Sequence, residues 1–415
     1  MNTTKDSKKA QWEKERVKNW EMIWDGHYRN KDGTLDPEFN FAGWLDSYTG
    51  NPIPTEYARE WVQSSVERIQ NLLPADPDLR KKARILEIGC GTGLLVYRLA
   101  PLVAEYVGID PSESAVNGLR QHLERKGVNH VHLHKRTALE ITDFEKQSFD
   151  LIILNSVAQY FPSAEYMLEV LKEALPLLKP AGHMFLGDIR NYALFDAFHA
   201  SVCLAKSTDD MLIEKFKLRY ERRKLKEPEI LYDPGFFLSL REIFPSVDSV
   251  QVELLRGNYL FEMTMFRYDA TIRMNGENVQ ERTRIEWRDW RTEKFSIDKI
   301  DESLRSQNPT TLAVRDIQNS RVQAHASLVR AFRSHATNAG ELRSLALAAA
   351  QAEPGQNPEE FWALGQKHNY KTIVGWPTNS MDGAFSVLFT KQEWTQSFPI
   401  DSFEVQPLEK FSNRF

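Results

Sequence analysis

The chain has 415 residues, 41% of them hydrophobic, which suffices for a large core plus an appendage and exceeds one typical domain. A net charge of −5 and a pI near 6.1 exclude a surface built to neutralise nucleic-acid phosphates, which needs a clustered excess of Lys and Arg. Two cysteines, Cys90 and Cys203, exclude a disulfide framework or a metal cluster, and a polar start without any ~20-residue apolar run predicts a soluble chain in a reducing cytoplasm.

Residues from about 10 to 75 read as helical and aromatic, with Trp12, Trp20, Trp24, Trp44 and Trp61, interrupted at Asp32-Gly33 and Asn51-Pro-Ile-Pro54. Such a segment predicts a cap. From about Arg84 to Arg190 strands and helices alternate: Arg84–Ile88, Tyr106–Asp110, Val131–His134, Phe149–Asn155 and Met184–Asp188 are the strands. That alternation predicts an α/β fold with a parallel, doubly wound sheet whose strand carboxyl ends share one edge. A long helical stretch is expected from about Ala193 to Lys226, a helix over Pro234–Ile243, and strands over Val247–Leu255 and Phe261–Ile272. The remainder reads as a small α+β lobe, with an alanine-rich helix near Glu341–Ala352 and strands around Tyr370–Trp376 and Ala384–Thr390. The expected division is a helical cap at 1–75, a central domain at 76–283 with a helical insertion at about 193–226, and a lobe at 284–415.

Between the first strand and its helix stands Glu87-Ile-Gly-Cys-Gly-Thr-Gly93. Glycines there permit a tight turn and let a nucleoside approach the backbone. A dinucleotide fingerprint wants glycine at the first, third and sixth positions, yet the sixth from Gly89 is Leu94. Gly89, Gly91 and Gly93 behind the acidic Glu87 instead resemble the S-adenosylmethionine loop of Rossmann-like methyltransferases, in which the strand-end acid lies near the methionine ammonium. Asp110 ends the next strand 17 residues beyond Gly93, about the spacing that one βαβ crossover demands of an acid reaching a ribose diol. Pro111 after it is expected in the first turn of the next helix.

Further phrases resemble one group, the N-methyltransferase domains of nonribosomal peptide synthetases. They are Gly43-Trp44 through Ser47-Tyr48-Thr49-Gly50 to Pro54, Leu94–Pro101, Leu154–Ser163, Gly187–Arg190 and Phe198–Val202. Arg256-Gly257, Glu262, Phe266–Asp269, Asn319-Ser-Arg321, Pro358-Glu359 and Tyr370 continue the likeness, which runs from about Trp20 to the end. Phe261-Glu262 stands where that family shows Asn-Glu, and Pro180-Ala181-Gly182 replaces Pro-Gly-Gly. The flanks carry no ATP loop and no carrier-protein serine motif, so the chain is expected to be free-standing. The resemblance implies a Rossmann-like methyltransferase sheet with an antiparallel last strand and S-adenosylmethionine as cofactor, without a metal, nucleic acid or membrane. The activity implied is N-methylation of an amino acid, amine or peptidyl intermediate, small or carrier-bound, in specialised metabolism. Transfer to oxygen of a phenol or carboxylate, or a non-catalytic cofactor-binding partner of an assembly line, are the alternatives.

Methyl transfer from a sulfonium is an in-line displacement governed by positioning, and an amine acceptor must also lose a proton, a step worth ~10²–10⁴-fold. Asn155 ends the strand that points at the cofactor, with Ser156, Gln159 and Tyr160 facing the space where donor and acceptor meet; core packing is the other reading of Tyr160-Phe161. Arg190 either grips a substrate carboxylate bidentately or joins an internal salt bridge. His199 is a candidate base or a buried structural residue beside Phe195 and Phe198. Glu262 is a candidate for orienting or deprotonating the amine, and strand alternation would put Tyr268 on its face and Arg267 opposite. Cys90 lies inside the glycine loop. Tyr48, with Ser47 and Thr49, either closes over the methionine end or forms a structural turn. Ala138 follows the family's adenine-contact position, with the usual acid displaced to Glu140. The basic run Lys215–Lys226 reads as a solvated helix face or as a dock for an acidic carrier protein.

Overall fold

The computed structural model describes residues 3–29, 36–276, 285–332, 335–393, 396–399 and 407–414. The Asp32-Gly33 interruption and the expected boundary at 283/284 lie outside them. Two helices, α1 (Thr3–Tyr28) and α2 (Thr55–Gln70), precede a short α3 (Pro77–Arg80) and the first strand. The main sheet then forms from β1 (Arg84–Ile88), β2 (Glu105–Asp110), β3 (Val131–Lys135), β4 (Phe149–Asn155), β5 (Leu178–Arg190), β6 (Val247–Leu254) and β7 (Arg267–Met274). Their order is β3-β2-β1-β4-β5-β7-β6. The first five pair in parallel, and β7, the last in chain order, runs antiparallel between β5 and β6. This is the expected methyltransferase sheet. β1 and β4 are covered on both faces, so Ile85-Leu86 and Leu151–Leu154 read as unbroken apolar runs rather than alternating ones. Strand order reverses between β1 and β4, and a cleft opens there beyond their carboxyl ends.

The crossover helices are α4 (Val96–Leu99), α5 (Glu113–Arg125) and α6 (Ala164–Ala174). Ser112 caps α5 by accepting from Ala115 N at 3.1 Å, so Pro111 precedes the cap instead of occupying the first turn. The long helix expected over 193–226 is two, α7 (Phe195–Ala205) and α8 (Ile213–Leu225). Ser207-Thr208-Asp209-Asp210 breaks it: Ser207 Oγ donates to Cys203 O at 2.6 Å, and Arg343 donates to Leu204 O at 3.1 Å, satisfying carbonyls that a continuing helix would have used. Two short helices, α9 (Pro234–Leu238) and α10 (Leu240–Ile243), lead into β6.

A larger correction concerns the strand expected over 261–272. Its first part is a helix, α11 (Glu262–Phe266), and the strand begins only at Arg267. Thr264 Oγ1 accepts from Phe261 N at 3.2 Å and donates to Tyr259 O at 2.8 Å, local bonds that fold the segment into a turn before it can join the sheet.

The C-terminal part adds β8 (Trp287–Asp289), α12 (Ile297–Glu302), β9 (Thr311–Ile317), α13 (Gln323–Ala331), α14 (Ala339–Ala352), α15 (Pro358–Lys367), β10 (Lys371–Gly375) and β11 (Phe385–Thr390). Its sheet has the order β10-β11-β9-β8 and its composition is α+β as expected. It does not stand apart. Backbone bonds between Val252 N and Phe398 O (2.8 Å) and between Phe398 N and Val250 O (3.0 Å) join it to β6. One apolar core runs from Leu86, Leu154 and Tyr268 into Val374, Trp376 and Phe385.

Candidate active site

The glycine loop forms one wall of the cleft. Gly89 has φ +83°, and a Cβ there would lie 2.3 Å from Val157 Cγ2, so the turn admits no side chain. Gly93 has φ +92° and packs where a Cβ would meet Leu119 Cδ1 at 2.6 Å; it shapes the helix–strand contact and does not line the cleft. Glu87, Gly89, Cys90, Gly91, Asp110, Pro111, Ala138, Asn155 and Ser156 all line one cavity. Glu87 is buried and accepts from the Tyr106 hydroxyl at 2.7 Å; burial, with Asp110 adding like charge, pushes its pKa up to about 8. Asp110 is raised to about 6, again by burial, although it accepts from Gly91 N (2.9 Å) and Ser112 N (2.8 Å). Burial likewise keeps the Cys90 thiol protonated, an apolar wall. Glu140 folds back to accept from Thr137 N at 2.7 Å and leaves this wall of the cavity to Arg136, Thr137 and Ala138.

Helix α1 roofs this cavity with Trp20, Trp24 and Tyr28, residues that the sequence reading had placed in a cap but had not assigned to the site. Their i, i+4, i+8 spacing is the signal that could have found them. Asp25 clamps the helix to the start of α5, accepting from Ser112 Oγ and Ser114 N, both at 2.9 Å.

A second cavity of about 570 Å³ adjoins the first. Trp20, Trp24, Trp44, Ser156 and Tyr160 line both and form the neck between them. The Tyr160 ring lies 4.7 Å from Trp20 and 5.4 Å from Trp24, centroid to centroid. Arg190, His199 and Glu262 line the second cavity, together with Arg267 and two carboxylates the sequence reading missed, Glu227 and Glu229. No local pattern marks those two, because a loop between α8 and α9 carries them to the ends of β5. Arg190 is in an internal salt bridge, donating to Glu227 (2.8 and 3.1 Å) and Glu229 (2.7 Å), so no free fork remains for a substrate carboxylate. His199 is almost fully buried beside Phe195, its Nε2 3.1 Å from Glu227 Oε2; burial lowers its pKa. Glu262 accepts from Ser47 N at 3.0 Å and faces Arg267 at 3.5 Å.

Besides Gly93, three expected residues lie outside both cavities. Tyr268 is fully buried and donates to Tyr232 O at 2.9 Å; because Glu262 is helical, strand alternation does not link the two, and Arg267 is the cavity's neighbour of Glu262. Gln159 is buried behind the neck, donating to Ser156 O at 3.1 Å. Tyr48 turns from the donor cavity and bonds Ser201 Oγ at 2.8 Å, while its neighbour Ser47 lines the second cavity.

The late motifs support these walls. Arg321 donates to Leu255 O (2.7 Å) and Gly257 O (2.8 Å), and Glu359 accepts from Gly257 N (2.9 Å) and Arg256 (2.8 Å), fixing the turn that delivers Glu262. Among the described residues no group of three or more His, Cys, Asp or Glu could hold a metal, and no helix is long and apolar enough to cross a membrane.

The seven-stranded order with one antiparallel strand, and a glycine-loop cleft bounded by two strand-end acids, define a Rossmann-like methyltransferase. Residues 79–226 match a family model described as a methyltransferase domain. Chondramide synthase cmdD of Chondromyces crocatus is 34% identical over 388 residues, 92% of this chain and 10% of that protein. Nonribosomal peptide synthetase asqK of Emericella nidulans is 27% identical over 407 residues, 94% of this chain and 16% of that protein. The chain thus spans about a tenth to a sixth of these relatives. A solved phosphoethanolamine N-methyltransferase of Haemonchus contortus aligns with TM-score 0.42 and 13% identity over 65% of this chain and 52% of that one. Residues 79–226 thus form a methyltransferase domain whose cofactor is S-adenosylmethionine, and the chain is similar over nine tenths of its length to segments found within nonribosomal peptide synthetases.

The residues present fit that cofactor. Asn155 Oδ1 and Trp24 Nε1 are buried without a hydrogen-bond partner among the described residues, and both belong to residues lining the donor cavity. The glycine cradle keeps its backbone bare, and acids stand at both ends of it.

Proposed function

We propose that the protein transfers a methyl group from S-adenosylmethionine to the nitrogen of an amino acid, amine or peptidyl intermediate in specialised metabolism. The observation that carries this reading is the second cavity, which holds three carboxylates and meets the donor cavity at an aromatic neck. In this reading Glu87 faces the cofactor's ammonium, Asp110 its ribose, and Ala138 its adenine, with Cys90, Pro111, Asn155 and Ser156 completing the cradle. When bound, the cofactor supplies an electrophilic methyl on a cationic sulfur. Tyr160, Trp20 and Trp24 then exclude water from the neck and offer ring faces to that cation. The opposite wall of Glu262, Arg267, Arg190 and His199 sets the acceptor's orientation, and Gln159 holds Ser156 from behind.

Relatedness to synthetase segments supports a carrier-bound acceptor. The mouth of the second cavity carries Lys206, Arg219, Arg222, Arg223 and Lys226, a basic rim suited to an acidic carrier protein or its phosphate-bearing arm. The 1–75 cap, the 76–283 domain and the 284–415 part would then act as roof, cradle and wall support, in a reducing cytoplasm.

Incubating the protein with methyl-labelled S-adenosylmethionine and a panel of amines, phenols and carrier-loaded amino acids tests the reading. Label on nitrogen is expected. Label on phenol or carboxylate oxygen alone, or binding without transfer, overturns it.

A further inference from the structure

Three carboxylates face the acceptor cavity, and the structure treats them differently. Glu227 is saturated: Oε1 accepts from Arg190 Nη1 (2.8 Å) and Glu229 N (3.0 Å), while Oε2 accepts from Arg190 Nη2 (3.1 Å) and lies 3.1 Å from His199. Those contacts hold it well below the ordinary carboxylate range against the opposing pull of burial. Glu262 is tied by both oxygens to Ser47 N and Arg267. Among the described residues the Glu229 carboxylate accepts one bond, from Arg190 Nη1 to Oε2 at 2.7 Å. Its side chain is 22% exposed, against 7% for Glu227 and 8% for Glu262, and that exposure opens into the cavity.

The loop carrying Glu229 is pinned from several sides. Arg16 of α1 and Arg414 both donate to Pro228 O, Arg414 also donates to Glu227 O, and Asn413 Nδ2 donates to Glu229 O at 3.1 Å. Leu231 N donates back to Asn413 Oδ1 at 2.8 Å, and Ile230 N to Gln159 O at 2.9 Å, directly behind the neck. Both ends of the described chain therefore converge to fix a loop whose one under-bonded acid looks into the cavity. Fixing of this kind is what a group acting on a bound substrate requires. Glu229 and Tyr160 of the neck line the same cavity, and after burial the Glu229 charge raises the Tyr160 phenol.

Resting on the nitrogen reading above, we propose that Glu229 is the catalytic residue that receives the acceptor's ammonium and removes its proton. An N–H bond of the ammonium breaks, the proton forms an O–H bond on the Glu229 carboxylate, and the electron pair left on nitrogen forms the new bond to the methyl. The bond between methyl and sulfur breaks with its electrons staying on sulfur, and the Glu229 proton leaves through the open mouth. The groups facing Glu229 are Arg190 from β5, Arg267 from β7, Tyr160 from the neck, Glu227 in its own loop, and Arg414 with Arg16 from the chain ends; His199 of α7 acts through Glu227. Burial outweighs Arg190 and Arg267 and raises the Glu229 pKa, the direction that makes a carboxylate a stronger base.

The test uses the full chain, S-adenosylmethionine and an α-aminoacyl thioester of N-acetylcysteamine. Glu229→Gln is expected to lower kcat by about 10²-fold or more, with KM changed severalfold at most, and to abolish the acidic limb of the kcat pH profile. Glu229→Asp is expected to recover part of the rate and restore the limb, and S-adenosylhomocysteine binding by calorimetry should stay within threefold of wild type in both. A Glu229→Gln rate within threefold of wild type overturns the assignment, as does Glu262→Gln alone removing the acidic limb. Wild-type transfer to oxygen and never to nitrogen overturns the amine reading, whereas nitrogen transfer by a fully active Glu229→Gln overturns only the role of Glu229.

Discussion

Ser156 and Asp188, at the carboxyl ends of neighbouring strands, both hold left-handed backbone (φ +59° and +60°), and Ser156 Oγ donates to Asp188 Oδ2 at 2.6 Å. The second oxygen-directed bond to Asp188, from Arg267 Nη1 at 2.6 Å, ties the same pair to the acceptor wall. Backbone strain of this kind, ~1–3 kcal/mol per residue, persists where the surroundings over-determine it, and here Ser156 borders the cleft while Asp188 is fully buried behind it.

That relationship predicts an order of stabilities. Ser156→Ala loses a hydrogen bond to a charged group, ~1.5–3 kcal/mol, and keeps the Cβ strain. Ser156→Gly loses the same bond but recovers ~1 kcal/mol of left-handed strain. Urea unfolding should therefore rank wild type above Ser156→Gly above Ser156→Ala. Ser156→Ala matching or exceeding Ser156→Gly would show that the backbone here is unstrained.

The neck gives a prediction about charge. S-adenosylmethionine is cationic at sulfur and its demethylated product is neutral there, while the rest of the two molecules is alike. Each aromatic face offered to the cation contributes ~0.5–2 kcal/mol. Trp24→Leu should thus weaken S-adenosylmethionine by about fivefold more than S-adenosylhomocysteine in calorimetry, with Tyr160→Leu behaving alike. Equal weakening of both ligands would assign the rings to packing alone.

Much of the donor half was legible in sequence, because its requirements are local. Glu87, Gly89, Gly91 and Asp110 sit within one βαβ unit, where spacing along the chain maps directly onto the cleft, with Gly93 packing the helix behind it. The acceptor half was only partly legible. Glu262 was singled out on the right segment in the wrong conformation, since apolar alternation over 261–272 reads as a strand and the Thr264 side-chain bonds that make it helical leave no periodic trace. Glu229 reaches the cavity through contacts that span 182 to 212 residues of the chain, Leu231–Asn413 and Arg16–Pro228 among them, and no window of sequence displays such a convergence.

Glu87 sets a pH dependence. Its pKa in the folded, ligand-free protein is about 8, raised chiefly by burial above the usual 4.5. A raised acid contributes stability that is full below about pH 4.5 and is lost as pH climbs through 8, so the ligand-free protein should lose up to about 5 kcal/mol across that window, and Glu87→Gln should flatten the loss. A cofactor ammonium beside the carboxylate would favour the ionised form. Cofactor binding near pH 7 is then expected to release a proton, read as a dependence of the calorimetric enthalpy on the buffer's ionisation enthalpy. Binding without proton release in both wild type and Glu87→Gln would remove Glu87 from the ammonium's surroundings.

Asp25 sets the last prediction, about how the roof stays shut. It links α1 to the start of α5, with its Oδ1 accepting from Ser112 Oγ and Ser114 N and its Oδ2 from Arg29. Burial pulls its pKa up, yet the bonds from Ser114, Ser112 and Arg29 win and leave it at about 2, below the usual 3.8. A depressed acid gives stability that is present above pH 3.8 and is lost as pH falls through 2, so the clasp is intact throughout the neutral range. Asp25→Ala removes a charged clasp worth ~1–2 kcal/mol between the N-terminus of α5 and α1, the helix that carries Trp20, Trp24 and Tyr28 over the donor cavity. Because α1 covers the cleft, that loss should appear as roughly a fivefold to thirtyfold faster release of S-adenosylhomocysteine, followed by tryptophan fluorescence in stopped flow. The strands beneath are untouched by the change, so the unfolding midpoint of the main transition should move little. An unaltered release rate would mean that ligand leaves without α1 lifting, by way of the second cavity and its basic mouth.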